Sequence, residues 1–248
     1  MIKLGKTALN SPPRLAVVIA DKENNEAIGS LRVDVLEVRV DLFENMDIDY
    51  IKANISKRSK TGIPLILTIR NDPSEGGKGD ISDEKKSEIF RAVISSVDAV
   101  DIELKSPIVS EVVDLAKKNQ KVVIVSSHNF VETPDESVLE NIFNEAVEKG
   151  ADIVKMAAKA KTIDDVNALM SFTLKHKEDN IITMSLGSVG SISRLTFPAA
   201  GSLLTYSYVN KPSAPGQIPL NALQKDLRRY YPKYNGYLTE KYSQIEDV

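Results

Sequence analysis

Two side chains in this sequence are placed to carry covalent and proton-transfer chemistry. Lys155 closes the apolar segment Asp152-Ile153-Val154-Lys155. A lysine at the end of a buried strand is costly to keep charged, and a desolvated amine can attack a carbonyl. His128 follows the apolar run Val122-Val123-Ile124-Val125 through Ser126-Ser127 and is one of only two histidines in the chain. It is the candidate general base that titrates near neutrality. The other histidine, in Leu174-Lys175-His176-Lys177-Glu178, reads as a solvated helix end, and two distant histidines argue against a histidine-based metal site. An ordinary lysine is free amine only about once in 2,500 at pH 7, so reaching half-free takes roughly 3.4 units, or about 4.6 kcal/mol. Desolvation together with cations such as Arg39 and Arg194 is the expected source. The bland alternatives are a Lys155 salt-bridged to Glu37 without chemistry and a His128 that only holds a backbone carbonyl.

The remaining candidates are charged groups near strand ends. In Glu37-Val38-Arg39-Val40-Asp41, alternation along a strand puts Glu37, Arg39 and Asp41 on one face. Asp41 is as well explained by an ion-pair ladder, whereas Glu37 with Arg39 points to a substrate role. Arg70 ends Leu67-Thr68-Ile69-Arg70 and leads into Glu75-Gly76-Gly77, where glycines let the loop turn sharply. Arg194 ends the small-residue stretch Gly187-Ser188-Val189-Gly190-Ser191-Ile192-Ser193-Arg194, a natural seat for a carboxylate or a phosphate. The pattern does not choose between those anions.

Eight apolar runs position these groups: Leu15 to Ala20, Val33 to Arg39, Pro64 to Arg70, Ala99 to Glu103, Lys121 to Ser127, Asp152 to Lys155, Asn180 to Ser185 and Ser202 to Tyr206. Their starts lie about 27 residues apart, one compact βα unit each. Stretches of helical period lie between them, such as Asp83 to Val97 and Leu139 to Lys149. Thr133-Pro134-Asp135-Glu136 offers a helix start with Thr133 as cap, and Thr162-Ile163-Asp164-Asp165 offers a weaker one. The pattern predicts an α/β protein with a (β/α)8 TIM barrel in a single domain over 1–248, with a short N-terminal strand or hairpin as a cap on the barrel bottom. A doubly wound open sheet competes, but the first strand is followed by Asp21-Lys22-Glu23-Asn24 rather than a glycine-rich turn. The glycine- and proline-rich segments Asn71 to Gly79 and Asn210 to Gly216 read as loops over the active face.

Composition removes several function classes. The 248 residues carry 32 Lys plus Arg against 35 Asp plus Glu, a net charge of -3, so there is no electrostatic footprint for nucleic acid. Lys57-Arg58-Ser59-Lys60 reads as a solvated helix face. With no cysteine, disulfides, thiolate metal sites and cysteine nucleophiles are excluded. No apolar run approaches the roughly 20 residues of a membrane span, and the N-terminus lacks a signal-peptide pattern, so a cytoplasmic protein without a membrane partner is expected.

Taken in order, Glu37-Val38-Arg39-Val40-Asp41, Thr68-Ile69-Arg70 with Glu75-Gly76-Gly77, Ser127-His128-Asn129-Phe130 with Thr133-Pro134, Asp152 to Lys155, Gly190 to Arg194 and Ser213-Ala214-Pro215-Gly216-Gln217 resemble type I 3-dehydroquinate dehydratase. His128 and Lys155 lie 27 positions apart, and Lys155 and Arg194 lie 39 apart. The resemblance implies a (β/α)8 enzyme of the shikimate pathway that converts 3-dehydroquinate to 3-dehydroshikimate and water, without metal or organic cofactor, as a homodimer. It implies that Lys155 forms a Schiff base with the C3 ketone and that His128 removes the C2 proton and protonates the departing hydroxyl. It also implies that Glu75 orients His128, that Arg194 binds the carboxylate, that Glu37, Arg39 and Arg70 hold ring hydroxyls, and that Ser213 and Gln217 close over the substrate. The chain departs from the pattern in Met156-Ala157-Ala158-Lys159-Ala160, which lacks a nearby proline, in Leu186 where some members have methionine, in a first strand without a hydroxyl, and in an Arg70-to-Glu75 loop one residue longer than in some members.

Two other readings keep the same residues. A class I aldolase acting on a sugar phosphate would use Lys155 and the small-residue loop after the seventh strand. A non-catalytic barrel would bind a cyclic polyol acid or a protein partner and keep Lys155 salt-bridged.

Overall fold

The computed structural model describes residues 1–10, 13–23, 28 and 31–243. Eight parallel strands form the barrel wall: β1 (Arg14–Ile19), β2 (Val35–Arg39), β3 (Leu65–Thr68), β4 (Ala99–Glu103), β5 (Val122–Asn129), β6 (Ile153–Lys159), β7 (Ile181–Leu186) and β8 (Leu204–Tyr208). From β1 to β7 each pairs with its sequence neighbour, and β8 pairs with β1. They are β-branched and buried on both faces, as parallel strands flanked by helices require.

The ring closes between β7 and β8 without a regular ladder. Leu203 N–H donates to Ile181 O (2.9 Å), and Ser202 Oγ accepts from Thr183 N–H (3.0 Å) and donates to Thr183 O (3.2 Å). Nearer the mouth, a two-residue strand, Ile218–Pro219, pairs in parallel with Ser207 and Tyr208 of β8.

The helices that cover the wall are α1 (Ile48–Ser59), α2 (Asp83–Val93), α3 (Val109–Lys118), α4 (Glu136–Glu148), α5 (Ile163–Lys175), the single turn α6 (Gly187–Gly190), α7 (Ser193–Ala200), α8 (Leu220–Tyr230) and α9 (Pro232–Ser243). Local chemistry fixes their starts. Asp47 and Ser82 cap α1 and α2 with side-chain oxygens, and Thr162 with Asp165 forms a full capping box on α5. In α8, Leu220, Leu223 and Leu227 form one buried stripe.

Several expectations need correction. α4 starts at Glu136 behind Asp135, because the Thr133 hydroxyl donates to Lys159 O instead of capping (3.0 Å). Helix α2 ends at Val93, and a 3-10 turn covers Ile94–Ser96. Arg58 is not solvated: it is 1% exposed, donating to Asn54 and to Ala20 O. His176 is buried, between the rings of Phe143 and Phe172 with Asp179 and Glu140 on its two nitrogens. Its aromatic neighbours on α4 and α5 draw it inward, which the charged local sequence hides.

The barrel interior is layered by strand periodicity. Ala16, Val35, Ile66, Ala99, Ile124, Ile153, Ile182 and Leu204 form a closed apolar layer. Two residues further along each strand the interior positions become Val18, Glu37, Thr68, Asp101, Ser126, Lys155, Met184 and Tyr206, because side chains repeat on one face every second residue. The N-terminal hairpin, Lys3–Leu4 against Thr7–Ala8, packs Leu4 and Leu9 into the apolar layer at 0% and 2% exposure. It stoppers the bottom and keeps water from the polar layer above.

Leu4→Ala is therefore expected to cost about 2–5 kcal/mol of stability, measured by urea unfolding. A change below about 0.5 kcal/mol, the range of ordinary surface substitutions, would show that the hairpin does not act as a stopper.

Candidate active site

The polar layer holds a run of alternating charges. Lys155 is the third residue of a seven-residue strand, so its amine lies inside the barrel rather than at a strand end. Its Nζ donates to Glu37 Oε2 (3.0 Å) and Asp101 Oδ2 (2.8 Å) and lies 4.6 Å from the centroid of the Tyr206 ring. The expected cation cluster around the amine is replaced by two carboxylates. Arg39 forks onto Asp41 instead (2.9 and 2.7 Å).

Asp101 is the residue the sequence reading missed. Its signal is the alternation in Ala99-Val100-Asp101-Ile102-Glu103, the same argument that singled out Glu37 and Arg39. Burial works against its ionisation, but Lys155 and Arg70 outweigh burial and hold it well below the usual carboxylate range. Arg70 crosses the mouth, donating to Asp101 Oδ1 (2.7 Å) and Ser126 Oγ (2.9 Å). Burial opposes its charge, but Asp101, Glu103, Glu75 and Glu37 raise it further. Asp41 fixes the start of the same loop by accepting from Arg70 N–H (3.0 Å), from a 3-10 turn over Val40–Leu42 that interrupts the expected strand alternation.

His128 lies inside β5, not beyond it. Its partner is a carboxylate rather than a backbone carbonyl: Nδ1 is 3.0 Å from Glu75 Oε2, which also accepts from His128 N–H (3.1 Å). With Nδ1–H donating to Glu75, Nε2 is left as the free base. Glu75 reaches this point from a 3-10 turn, Pro73–Glu75, capped by Asp72. The turn folds back tightly, and a Cβ on Gly77 would meet the backbone of Asn71 at 2.3 Å. Burial, then the cations Arg70 and Lys155, push His128 well below its ordinary value, so it rests neutral at neutral pH. Burial, with Arg70 opposing and Glu103 and Asp101 reinforcing, pushes Glu75 up to about 7.

Arg194, in the first turn of α7, is 1% exposed. Nη1 contacts Met184 Sδ (2.7 Å), and among the described residues the group has no carboxylate partner and its Nε and Nη2 no partner at all. Burial pushes it down to about 10, still charged at neutral pH. Met184 separates it from the cavity lined by Lys155, His128, Glu37, Arg39 and Tyr206. Ser213 and Gln217 line that cavity too but bond each other (Ser213 N–H to Gln217 Oε1, 2.7 Å). Their loop lies against α6, where Gly187 N–H donates to Pro215 O (3.1 Å) and a Cβ on Gly216 would meet Gly187 O at 2.3 Å. The cavity measures about 50 Å³. Among the described residues no group of His, Cys, Asp or Glu is arranged to hold a metal, and no helix is long and apolar enough to cross a membrane.

Fold and site define the class: a (β/α)8-barrel enzyme with a buried amine, an imidazole–carboxylate pair and a buried arginine gathered at the strand ends. Residues 16–232 match the family model for type I 3-dehydroquinase. The chain is 39% identical over 222 residues to the 3-dehydroquinate dehydratase of Thermodesulfovibrio yellowstonii, covering 86% of this chain and 93% of that one. It is 37% identical to that of Methanocella arvoryzae, over 89% and 98% of the two chains. The solved type I 3-dehydroquinate dehydratase of Clostridium difficile, with covalently modified comenic acid, superposes with a TM-score of 0.86 at 30% identity, over 94% of this chain and 98% of that one. The chain belongs to the type I 3-dehydroquinase family, lyases that dehydrate 3-dehydroquinate in the shikimate pathway.

The raised Glu75 makes a stability prediction. Its folded-state value of about 7 exceeds the ordinary 4.5, so its contribution is full below 4.5 and is lost as pH rises through about 7. Glu75→Gln has no such loss. Its stability relative to wild type should rise over that window, by up to about 3 kcal/mol. Chemical denaturation at both ends of the window measures this, and a pH-independent difference would refute it.

Proposed function

We propose that this protein, with the whole chain 1–248 acting as one barrel domain, dehydrates 3-dehydroquinate through a Schiff base on Lys155. The observation that carries the reading is a buried amine facing the same closed cavity as a neutral imidazole. The covalently modified comenic acid of the Clostridium difficile relative fits a family site that takes covalent ligands.

The substrate carboxylate seats on Arg194, whose buried charge lacks a counter-ion, once Met184 moves aside. Met suits such a gate because its side chain is flexible. Glu37, Arg39 and Arg70 face the ring hydroxyls, and Ser213 and Gln217 exchange their mutual bonds for substrate as the loop closes.

Lys155 gives up a proton to neutral His128, and the free amine attacks C3. His128 returns that proton to the carbinolamine hydroxyl, and loss of water leaves an iminium. His128, again neutral, removes the C2 proton, and the C–H electron pair moves into the iminium to form an enamine. The enamine then expels the C1 hydroxyl, which His128 protonates to water on the same face. Hydrolysis of the conjugated iminium releases 3-dehydroshikimate and restores the amine. Asp101 takes no proton in this scheme, being held far too acidic. With Glu37 it fixes the amine in position. Glu75 orients the imidazole, as the carboxylate of a hydrolase triad does.

Incubation with 3-dehydroquinate followed by borohydride and peptide mapping should place a substrate- or product-sized adduct on Lys155. An unmodified Lys155 in folded, active protein would refute the Schiff base. Lys155→Ala is expected to abolish turnover, and His128→Ala to lower it by about 10²–10⁴-fold. Arg194→Ala should act chiefly by raising KM. Turnover by His128→Ala at the wild-type rate would overturn its assignment as the base.

A further inference from the structure

Outside the substrate cavity a second buried ion pair is tied to the loop that carries Glu75. Lys86, on α2, is 2% exposed, and its Nζ donates to Glu103 Oε2 (2.9 Å) and Ser106 Oγ (3.2 Å). Glu103, also 2% exposed, gives its other oxygen to the loop. Oε1 accepts from Asn71 N–H and Asp72 N–H, both at 2.8 Å. Arg70 approaches that same oxygen only to 3.9 Å.

Those two amides set everything that follows in the loop. Asp72 caps the 3-10 turn through Ser74 N–H (2.8 Å). Its carbonyl accepts from Glu75 N–H (3.0 Å) and Gly77 N–H (2.8 Å). The side chain of Asn71 closes the far end of the loop on Ile81 (2.7 and 3.1 Å). Glu75 at the tip then meets His128.

We propose that Lys86 is a positioning residue for the Glu75–His128 pair, acting through Glu103 and the backbone amides of Asn71 and Asp72. The inference rests on the reading of His128 as the base in the proposed reaction. Its logic is the division of one carboxylate between two tasks. Glu103 is held in the dry layer by its pairing with Lys86 (2.9 Å), because a buried charge left without its partner is strongly unfavourable. Lys86 is the cation on the oxygen that the loop does not use. Without it Glu103 turns toward water, and the clamp on the loop relaxes.

The test uses the full-length protein and a readout that does not depend on turnover. With only two histidines in the chain, the His128 ring protons can be followed through a pH titration by NMR and assigned with His128→Ala. In Lys86→Met the loosened loop admits water to the imidazole and relieves part of the burial that lowers it, so the His128 midpoint should rise by about half a unit or more. In the same protein kcat should fall by about tenfold or more, with KM within about twofold of wild type. Lys86→Arg should restore both. A midpoint and kcat unchanged in folded Lys86→Met would overturn the proposal. So would a loss of activity that only tracks the folded fraction while the midpoint stays put. A moved midpoint in a protein whose wild type does not turn over 3-dehydroquinate would support the positioning link and sink the proposed reaction instead.

Discussion

Placing one ammonium in the middle of a barrel dictates most of the surrounding polar structure. Lys155 cannot be buried alone, since the cost of an isolated charge in a dry interior exceeds what packing returns. Glu37 and Asp101 answer it. Asp101 is answered in turn by Arg70, and Arg70 by Glu75 and Glu103 at longer range. Each group satisfies the last and demands the next, until the run reaches His128 on one side and Lys86 on the other. The site is therefore one electrostatic unit rather than a set of independent residues.

That unit is possible because the barrel separates layers by the period of its strands. One register of interior positions is entirely apolar, stoppered by the hairpin leucines, and the register two residues on is mostly polar. The lower layer excludes water and makes every charge above it matter more. His128 and Lys155 stand on strands paired in parallel on both sides, so these groups are held by regular structure rather than by loops.

Arg194 breaks the pattern of matched charges. It is as buried as any group in the site and faces a thioether instead of a carboxylate. A buried cation without a counter-ion is destabilising by itself, and it becomes favourable once an anionic ligand arrives. Beside the small, loop-covered cavity Arg194 is a buried charge of the site that faces no opposite charge among the described residues.

Most of the barrel was legible in the chain because strands and helices announce themselves locally. Apolar runs spaced by one βα unit, the cap residues and the glycine-rich loops each depend on a few adjacent residues. His128, Lys155, Glu75 and Arg194 were legible through residue type, strand position and family resemblance. Tertiary structure alone decided which charge faces which. The cations expected beside Lys155 proved to be carboxylates, Asp101 emerged as its partner, and His176 turned from a surface residue into a buried stacked one. Lys86 gained a link to the loop through Glu103. The pairings of Lys155 with Glu37 and Asp101 join residues 118 and 54 positions apart on different strands, and a Coulombic contact depends on distance in space, which no local pattern in the sequence encodes.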